Sequence, residues 1–313
     1  ELKIFNYSDV SRILGKIPGV TVQEEDGFGL RPNIGMRGTN PNRSEKITLM
    51  EDGILIAPSP YAAPAAYYFP TTNRMQAFEI IKGGSQIQYG PYTTSGAINM
   101  VSTQIPGHFT GNITTTYGNF NTKKTYLNVG DSFKNFAYLV EYNNRNSDGF
   151  KEIDYSTKKT GFQGNDYLAK FKINSDFEAK VYQSLTFKVQ YSQDKDNETY
   201  LGLTDADFKA NPYRRYLGSN EDNMDTEHFQ LMATHLIKPL KNLSFTTKGY
   251  RNTFNRNWYK LDGVNLGTTT VSINSILENP TKYDNEYNAI TGVTNTSANA
   301  LRVKANNRSY EAQ

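Results

Sequence analysis

The chain has 313 residues, including 22 Tyr and 17 Phe, yet its mean hydropathy is −0.65. It contains no cysteine, which excludes disulfides and cysteine-ligated metal sites. Its 34 basic and 31 acidic residues leave a net charge of +3, without the basic bias of a dedicated nucleic-acid binder. No run approaches the ~20 apolar residues of a transmembrane helix. Abundant aromatics at low mean hydropathy fit a β-barrel instead, where alternate strand residues face lipid and a polar lumen.

The chain opens on a helix signal. Ser8 or Asp9 caps, Val10, Ile13, Leu14 and Ile17 recur at helical spacing, and Pro18-Gly19 terminates. Strands are expected at 19–22 and 33–38, followed by a polar loop at 39–46. Residues 47–50 and 54–56 read as a hairpin across Glu51-Asp52-Gly53, because Asp-Gly supplies the backbone freedom a tight turn needs. Residues 74–103 read as strand, glycine-rich turn, short linker and strand, with no helix expected after Gly83-Gly84. Without that helix, a dinucleotide or phosphate site is not indicated.

Composition changes near Ile105-Pro106-Gly107, so 1–105 is expected to form one domain and 106–313 another. The second part alternates. Phe136, Tyr138, Val140 and Tyr142 oppose Ala137, Leu139, Glu141 and Asn143. Tyr167, Ala169, Phe171 and Ile173 oppose Leu168, Lys170 and Lys172, and Leu185, Phe187, Val189 and Tyr191 oppose Ser184, Thr186, Lys188 and Gln190. Phe109, Ile113 and Tyr117 share a face in the same manner. Aromatics on one face and charges on the other suit lipid outside and a lumen inside. After a first turn near 118–122, short links at 131–135, 175–180 and 239–242 alternate with long polar loops at 145–164, 193–226 and 256–299. About eight barrel strands are expected. So few strands enclose only side chains, so these read as part of a larger barrel.

Four motifs in order carry a family resemblance: DVSRILGKIPGV at 9–20, GMRG at 35–38, TLMEDGI at 48–54, and the Gly-rich unit at 74–103. Together they resemble the plug domain of TonB-dependent outer-membrane receptors. The resemblance implies an all-β membrane barrel of 22 strands, with an N-terminal α+β plug domain filling its lumen. It implies a transporter in the bacterial outer membrane and not an enzyme, with no cofactor, since iron would be part of the cargo. The implied partners are the TonB energy-transducing complex, a ferric chelate and outer-membrane lipid, and no nucleic acid. Residues 36–54 and 56–70 are most similar to ferric citrate-type receptors, although Ala62-Ala63 replaces a glutamine-bearing loop.

The resemblance implies that the loops at 40–46 and 59–68 lie at the outer, ligand-facing end of the plug. Asn40, Arg43 and Lys46 offer donors to an anionic chelate, and Tyr61, Tyr67 and Tyr68 offer aromatic surface with a polar tip. Arg214 and Arg215, in the basic aromatic segment 211–216, are a second expected capture point. Arg37, Glu79 and Lys82 are expected in ion pairs, structural or transport-linked, between plug and barrel. Cargo of another class (oligosaccharide, peptide, cobalamin or haem) and a structural or adhesive outer-membrane role remain open at this level. His108, His228 and His235 fall in or beside expected barrel strands, away from the apical plug loops. The acidic segments 205–207 and 220–225 read as solvated loop.

Overall fold

The computed structural model describes residues 9–56, 67–90, 93–197, 199–295 and 300–312. The helix signal at the N-terminus holds: Val10–Leu14 is helical, and Asp9 caps it by accepting from the Ser11 N–H at 2.8 Å. Strand β1 (Val20–Gln23) pairs antiparallel with β2 (Asn33–Met36). Strand β3 (Ile47–Glu51) turns back into β4 (Ile54–Leu55) through Asp52 and Gly53, at φ 52° and 79°, the left-handed pair that a two-residue hairpin requires. With β5 (Met75–Ile81) and β6 (Gly96–Ser102) they form a four-stranded sheet of order β4-β3-β6-β5, in which β3 and β6 run parallel.

The link after β5 corrects the sequence reading. Residues Gly84–Tyr89 wind into a 3-10 helix instead of running as a non-helical linker. Gly83 and Gly90 bracket it at φ 96° and 92°, conformations open to glycine because it has no Cβ. Helix and sheets enclose a core of Val10, Leu14, Ile34, Met36, Ile47, Leu49, Met75, Ile98 and Met100, and Phe254 from the second part of the chain packs into it.

From residue 110 onward, eight long strands follow one another in a single antiparallel sheet: β7 (Thr110–Gly118), β8 (Thr122–Ser132), β9 (Phe136–Ser147), β11 (Phe162–Asn174), β12 (Tyr182–Asp196), β14 (Asn223–Leu240), β15 (Leu243–Val264) and β17 (Leu301–Ala312). The alternation read from sequence sets their faces. On β9, Ala137, Leu139, Glu141 and Asn143 are buried, while Phe136 and Val140 are exposed. On β11 and β12, Asp166, Lys170, Lys188 and Gln190 are buried, while Tyr167, Phe171, Phe187 and Tyr191 are exposed. Charged side chains therefore point toward the plug and aromatic ones away from it, as a lipid-facing barrel wall requires.

The short links at one end are 133–135, 175–181 and 241–242. The long connections at the other end are not plain loops. One carries β10 (Glu152–Ile153), parallel to β13 (Arg214–Arg215) in the next; helices occur at Asp205–Ala210, Ile273–Glu278 and Asp284–Thr291, with β16 (Val271–Ser272) beside β15. Leu201, Tyr216, Leu261, Val264, Ile273, Ile276 and Ile290 bury one another there, so two long connections share a small core of their own.

Candidate functional site: an ionic lock and an aromatic cleft

A buried charge network joins the plug to the barrel. Arg74 closes the 3-10 turn Thr72–Arg74 just before β5 and is completely buried. Its two terminal nitrogens grip both carboxylate oxygens of Glu51, at the end of β3, and its Nε donates to Asp166 of β11 at 2.9 Å. From β12, Lys188 bonds the same Glu51 and reaches Asp52 at 2.6 Å. Lys170 of β11 donates to the Thr103 carbonyl at 2.7 Å and stands 3.9 Å from Asp52. Ser102 donates to Asp52 through both its N–H and its hydroxyl.

Arg74, Lys170 and Lys188 thus face Glu51, Asp52 and Asp166 in one enclosed cluster. Balanced pairing is what makes burial of so many charges tolerable. Burial by itself would push Glu51 up, but the charges of Arg74 and Lys188 overcome it and hold the carboxyl down at about 2. Burial opposes ionisation of Asp52 as well, and Lys188 and Lys170 pull it well below the usual carboxylate range.

The residues expected to make this contact do not. Arg37 is exposed in the turn after β2, at φ 57°, with its N–H bonded to the Gly19 carbonyl at 2.9 Å, and it pairs with no described barrel carboxylate. Glu79 accepts from Asn99 at 2.6 Å, and Lys82 donates to the Pro18 carbonyl at 2.5 Å, both within the plug. The reason is local direction: β2 buries Asn33 to Met36 and the chain turns outward at Arg37, whereas Glu51 and Arg74 lie where the plug sheet meets β11 and β12. Glu51 ending an apolar strand, opposite lumen-facing Lys170 and Lys188, was the available signal.

A cleft lies between plug and barrel beyond the lock. It is lined by Glu25, Asp26, Arg31, Asn33, Arg43 and Tyr67 from the plug, and by Tyr200, Met224 and Trp258 from the barrel part. Arg43 sits in the 3-10 turn Asn42–Ser44 at φ 51°, where its N–H donates to Asn33 Oδ1 at 2.8 Å. Its guanidinium donates to the Tyr67 hydroxyl at 3.3 Å and faces the Tyr67 and Trp258 rings at 5.7 and 5.9 Å. On Tyr67 also rests the Arg256 guanidinium, 3.6 Å from the ring centre. Asp26 stiffens the plug loop by accepting from the N–H groups of Phe28, Gly29, Leu30 and Arg31, and Arg31 pairs with Asp196 at the end of β12. Gly27 lets this loop lie against Phe150, since a Cβ there would come within 2.7 Å of the ring.

Of the expected apical residues, Arg43 and Tyr67 line this cleft. Asn40 is exposed and does not line it, its side chain accepting from the Asn42 N–H at 2.9 Å. Lys46 is exposed and does not line it. Tyr61 lies outside the described residues. Tyr68 is buried in the lock instead: its hydroxyl accepts from Arg74 at 3.3 Å, and its ring stacks on His228 with centroids 4.0 Å apart. Neighbouring side chains diverge, so Tyr67 and Tyr68 serve different places. Arg214 is held by Asp154 and Asp207, each at 2.8 Å, and Arg215 donates to Thr199 at 3.1 Å while lining a separate vestibule with Lys151, Tyr200 and Phe208. Sequence reasoning missed Arg31, Arg256, Tyr200 and Trp258, which reach the cleft from distant segments.

Residues 1–97 match the family model described as the TonB-dependent Receptor Plug Domain. The N-terminal part of the chain is therefore similar to the plug of TonB-dependent receptors. Among solved structures, this chain is similar to the ferric citrate transporter FecA in its unliganded form, at 22% identity and a TM-score of 0.65, over 83% of this chain and 40% of that one. It is similar to the ferric yersiniabactin uptake receptor FyuA from Yersinia pestis at 14% identity and a TM-score of 0.65, over 84% and 41%. The FrpB iron transporter from Neisseria meningitidis matches at 14% identity and a TM-score of 0.60, over 82% and 39%. The likeness is one of fold, a plug against a barrel wall. The chain spans about 40% of the length of the solved structures it matches, and its eight long strands are part of a barrel.

Proposed function

We propose that the protein is a TonB-dependent transporter of the bacterial outer membrane that imports a ferric chelate of the citrate or siderophore class. The observation that carries this reading is the cleft, where Arg31 and Arg43 meet Tyr67, Tyr200 and Trp258 at the seam between plug and barrel. Guanidinium groups suit chelate carboxylates, and the rings supply apolar contact with polar tips. Names of similar proteins, a ferric citrate transporter and a ferric yersiniabactin uptake receptor, support the same class. No covalent bond is made or broken. Cargo binds across the seam, and work supplied through TonB moves the plug residues that cover it. The ion pairs that Glu51, Asp52 and Arg74 make with β11 and β12 hold the rest of the plug in place meanwhile. Outer-membrane lipid covers the aromatic face of the strands.

Glu25 and Asp26 also line the cleft, which favours a second reading in which the cargo carries positive or neutral polar groups, as a peptide or oligosaccharide does. The test is a titration of the full-length receptor with ferric citrate and a panel of ferric siderophores, followed by fluorescence. Trp258, the sole tryptophan of this chain, lines the cleft and reports on it. Saturable quenching by one ferric chelate, lost for its iron-free form, is expected. No binding across the panel overturns the iron reading in favour of the second.

A further inference from the structure

The inner face of the barrel wall is not uniform. On β11 and β12, Asp166, Lys170 and Lys188 are tied to the plug by the ion pairs above. On β14 and β15 the inward side chains form a ladder, whose register sets Met224 beside Trp258, Thr226 beside Arg256, His228 beside Phe254 and Gln230 beside Asn252. Trp258 Nε1, Arg256 Nε and Nη1, His228 Nε2, both amide atoms of Gln230 and Asn252 Oδ1 are buried with no hydrogen-bond partner among the described residues. None of these residues is more than 7% exposed. A buried polar group left unsatisfied costs about 1–3 kcal/mol, so a run of them in a permanently dry seam would be heavily destabilising.

The ladder is continuous with the cleft. Trp258 lines it, and Arg256 lies under the Tyr67 ring. His228 lies under Tyr68, and Gln230 and Asn252 continue inward, about 20 Å along the strand from Trp258 at ~3.4 Å per residue. Tyr67 and Tyr68 therefore cover two successive rungs. Asn128, Glu141 and Asn143 also carry unpartnered atoms, but the sheet order places β11 and β12 between them and β14–β15; on β11, Asp166 Oδ1 is unpartnered too, while its other oxygen is tied to Arg74.

We infer that the β14–β15 inner face is the conducting wall of this receptor: a hydratable polar track, entered from the cleft when Tyr67 and Tyr68 move, along which hydrophilic solute passes while the ion pairs to β11 and β12 keep the plug anchored. The solute and the energy source rest on the transport reading above; the hydration of the track does not.

This chain contributes no cysteine of its own, so each variant adds one thiol to it, and the unsubstituted full-length receptor is reacted in parallel as the background. Gln230→Cys and Asn252→Cys on the track, and Ser192→Cys, buried on β12, are placed singly in the full-length receptor in outer membranes. Each is reacted with a small water-soluble cationic methanethiosulfonate, with and without the energised TonB partner. The track variants are expected to label at least about tenfold faster than Ser192→Cys, since local opening sets access to buried sites. Asn252→Cys serves if Gln230→Cys fails to assemble. Equal or slower labelling on the track overturns the inference, whatever the receptor carries. Fast labelling indifferent to TonB upholds the track and sinks the TonB-driven reading.

Discussion

Glu51 in the lock and Asp222 among the outer connections are both buried carboxylates, and they behave in opposite ways. Burial disfavours the charge of each. Around Glu51 the cations of Arg74 and Lys188 reverse that effect and hold it at about 2. Asp222 has no such neighbour: it accepts from the backbone N–H groups of Tyr200 and Leu261, both at 3.0 Å, and burial leaves it raised to about 6. The contrast teaches that partners, and not depth, decide whether a carboxylate acts as an ionic latch or as a near-neutral knot.

The most severe way to break the contrast is to strip the latch of its cation. Arg74→Ala leaves Glu51 and Asp166 buried without their guanidinium, and is expected to destabilise plug docking by about 3–5 kcal/mol. Thermal unfolding of the full-length receptor in detergent reads this; an unchanged midpoint would show that the network is not holding the plug.

Acid separates the two regions by sign. Glu51 ionises more readily folded than unfolded, so its contribution is complete above its ordinary 4.5 and is lost as pH falls toward about 2. Asp222 is raised from 3.8 to about 6, so the folded connections bind its proton more tightly and weaken as pH rises through that window. Between pH 6 and 4 the outer connections should tighten while the lock is still intact. Amide exchange at Tyr200 and Leu261, corrected for intrinsic rate, should slow over that interval and should not in Asp222→Asn.

At the cleft, Arg43→Ala is expected to weaken binding of an anionic ferric chelate by about 1.5–3 kcal/mol, the usual worth of a hydrogen bond to a charged group. Lys46→Ala, away from the cleft, should leave affinity unchanged. Equal losses in titrations of the two variants would move the ligand site. The smallest expected effect lies among the outer connections, where Tyr287 and Tyr216 both donate to Asp207. Tyr287→Phe removes one donor from an acceptor that keeps others, and should cost about 0.5–1.5 kcal/mol in the local opening read by amide exchange in 284–291.

Much of the architecture was legible along the chain. Alternation placed Lys170 and Lys188 on the lumen face of their strands, and Asp52-Gly53 marked its hairpin, because both are local properties of a strand or turn. The helices at Asp205–Ala210, Ile273–Glu278 and Asp284–Thr291 were not read, since they are short, sit in polar segments and bury their apolar residues against other connections. In the candidate sites, Arg43 and Tyr67 were found from the resemblance of their loops to those of the family. Arg37 was expected in the lock and Arg74 was not considered; both adjoin plug strands, and nothing nearby in sequence says which one faces a barrel carboxylate.

The sequence by itself determined strand faces, turn positions and the order of plug and barrel wall, because steric and hydrophobic periodicity act over a few residues. Tertiary structure alone decided the partners. Glu51 meets Lys188, and Arg43 meets Trp258, across long stretches of chain. A buried charge or ring takes its chemistry from what the fold sets against it, and that juxtaposition leaves no periodic trace.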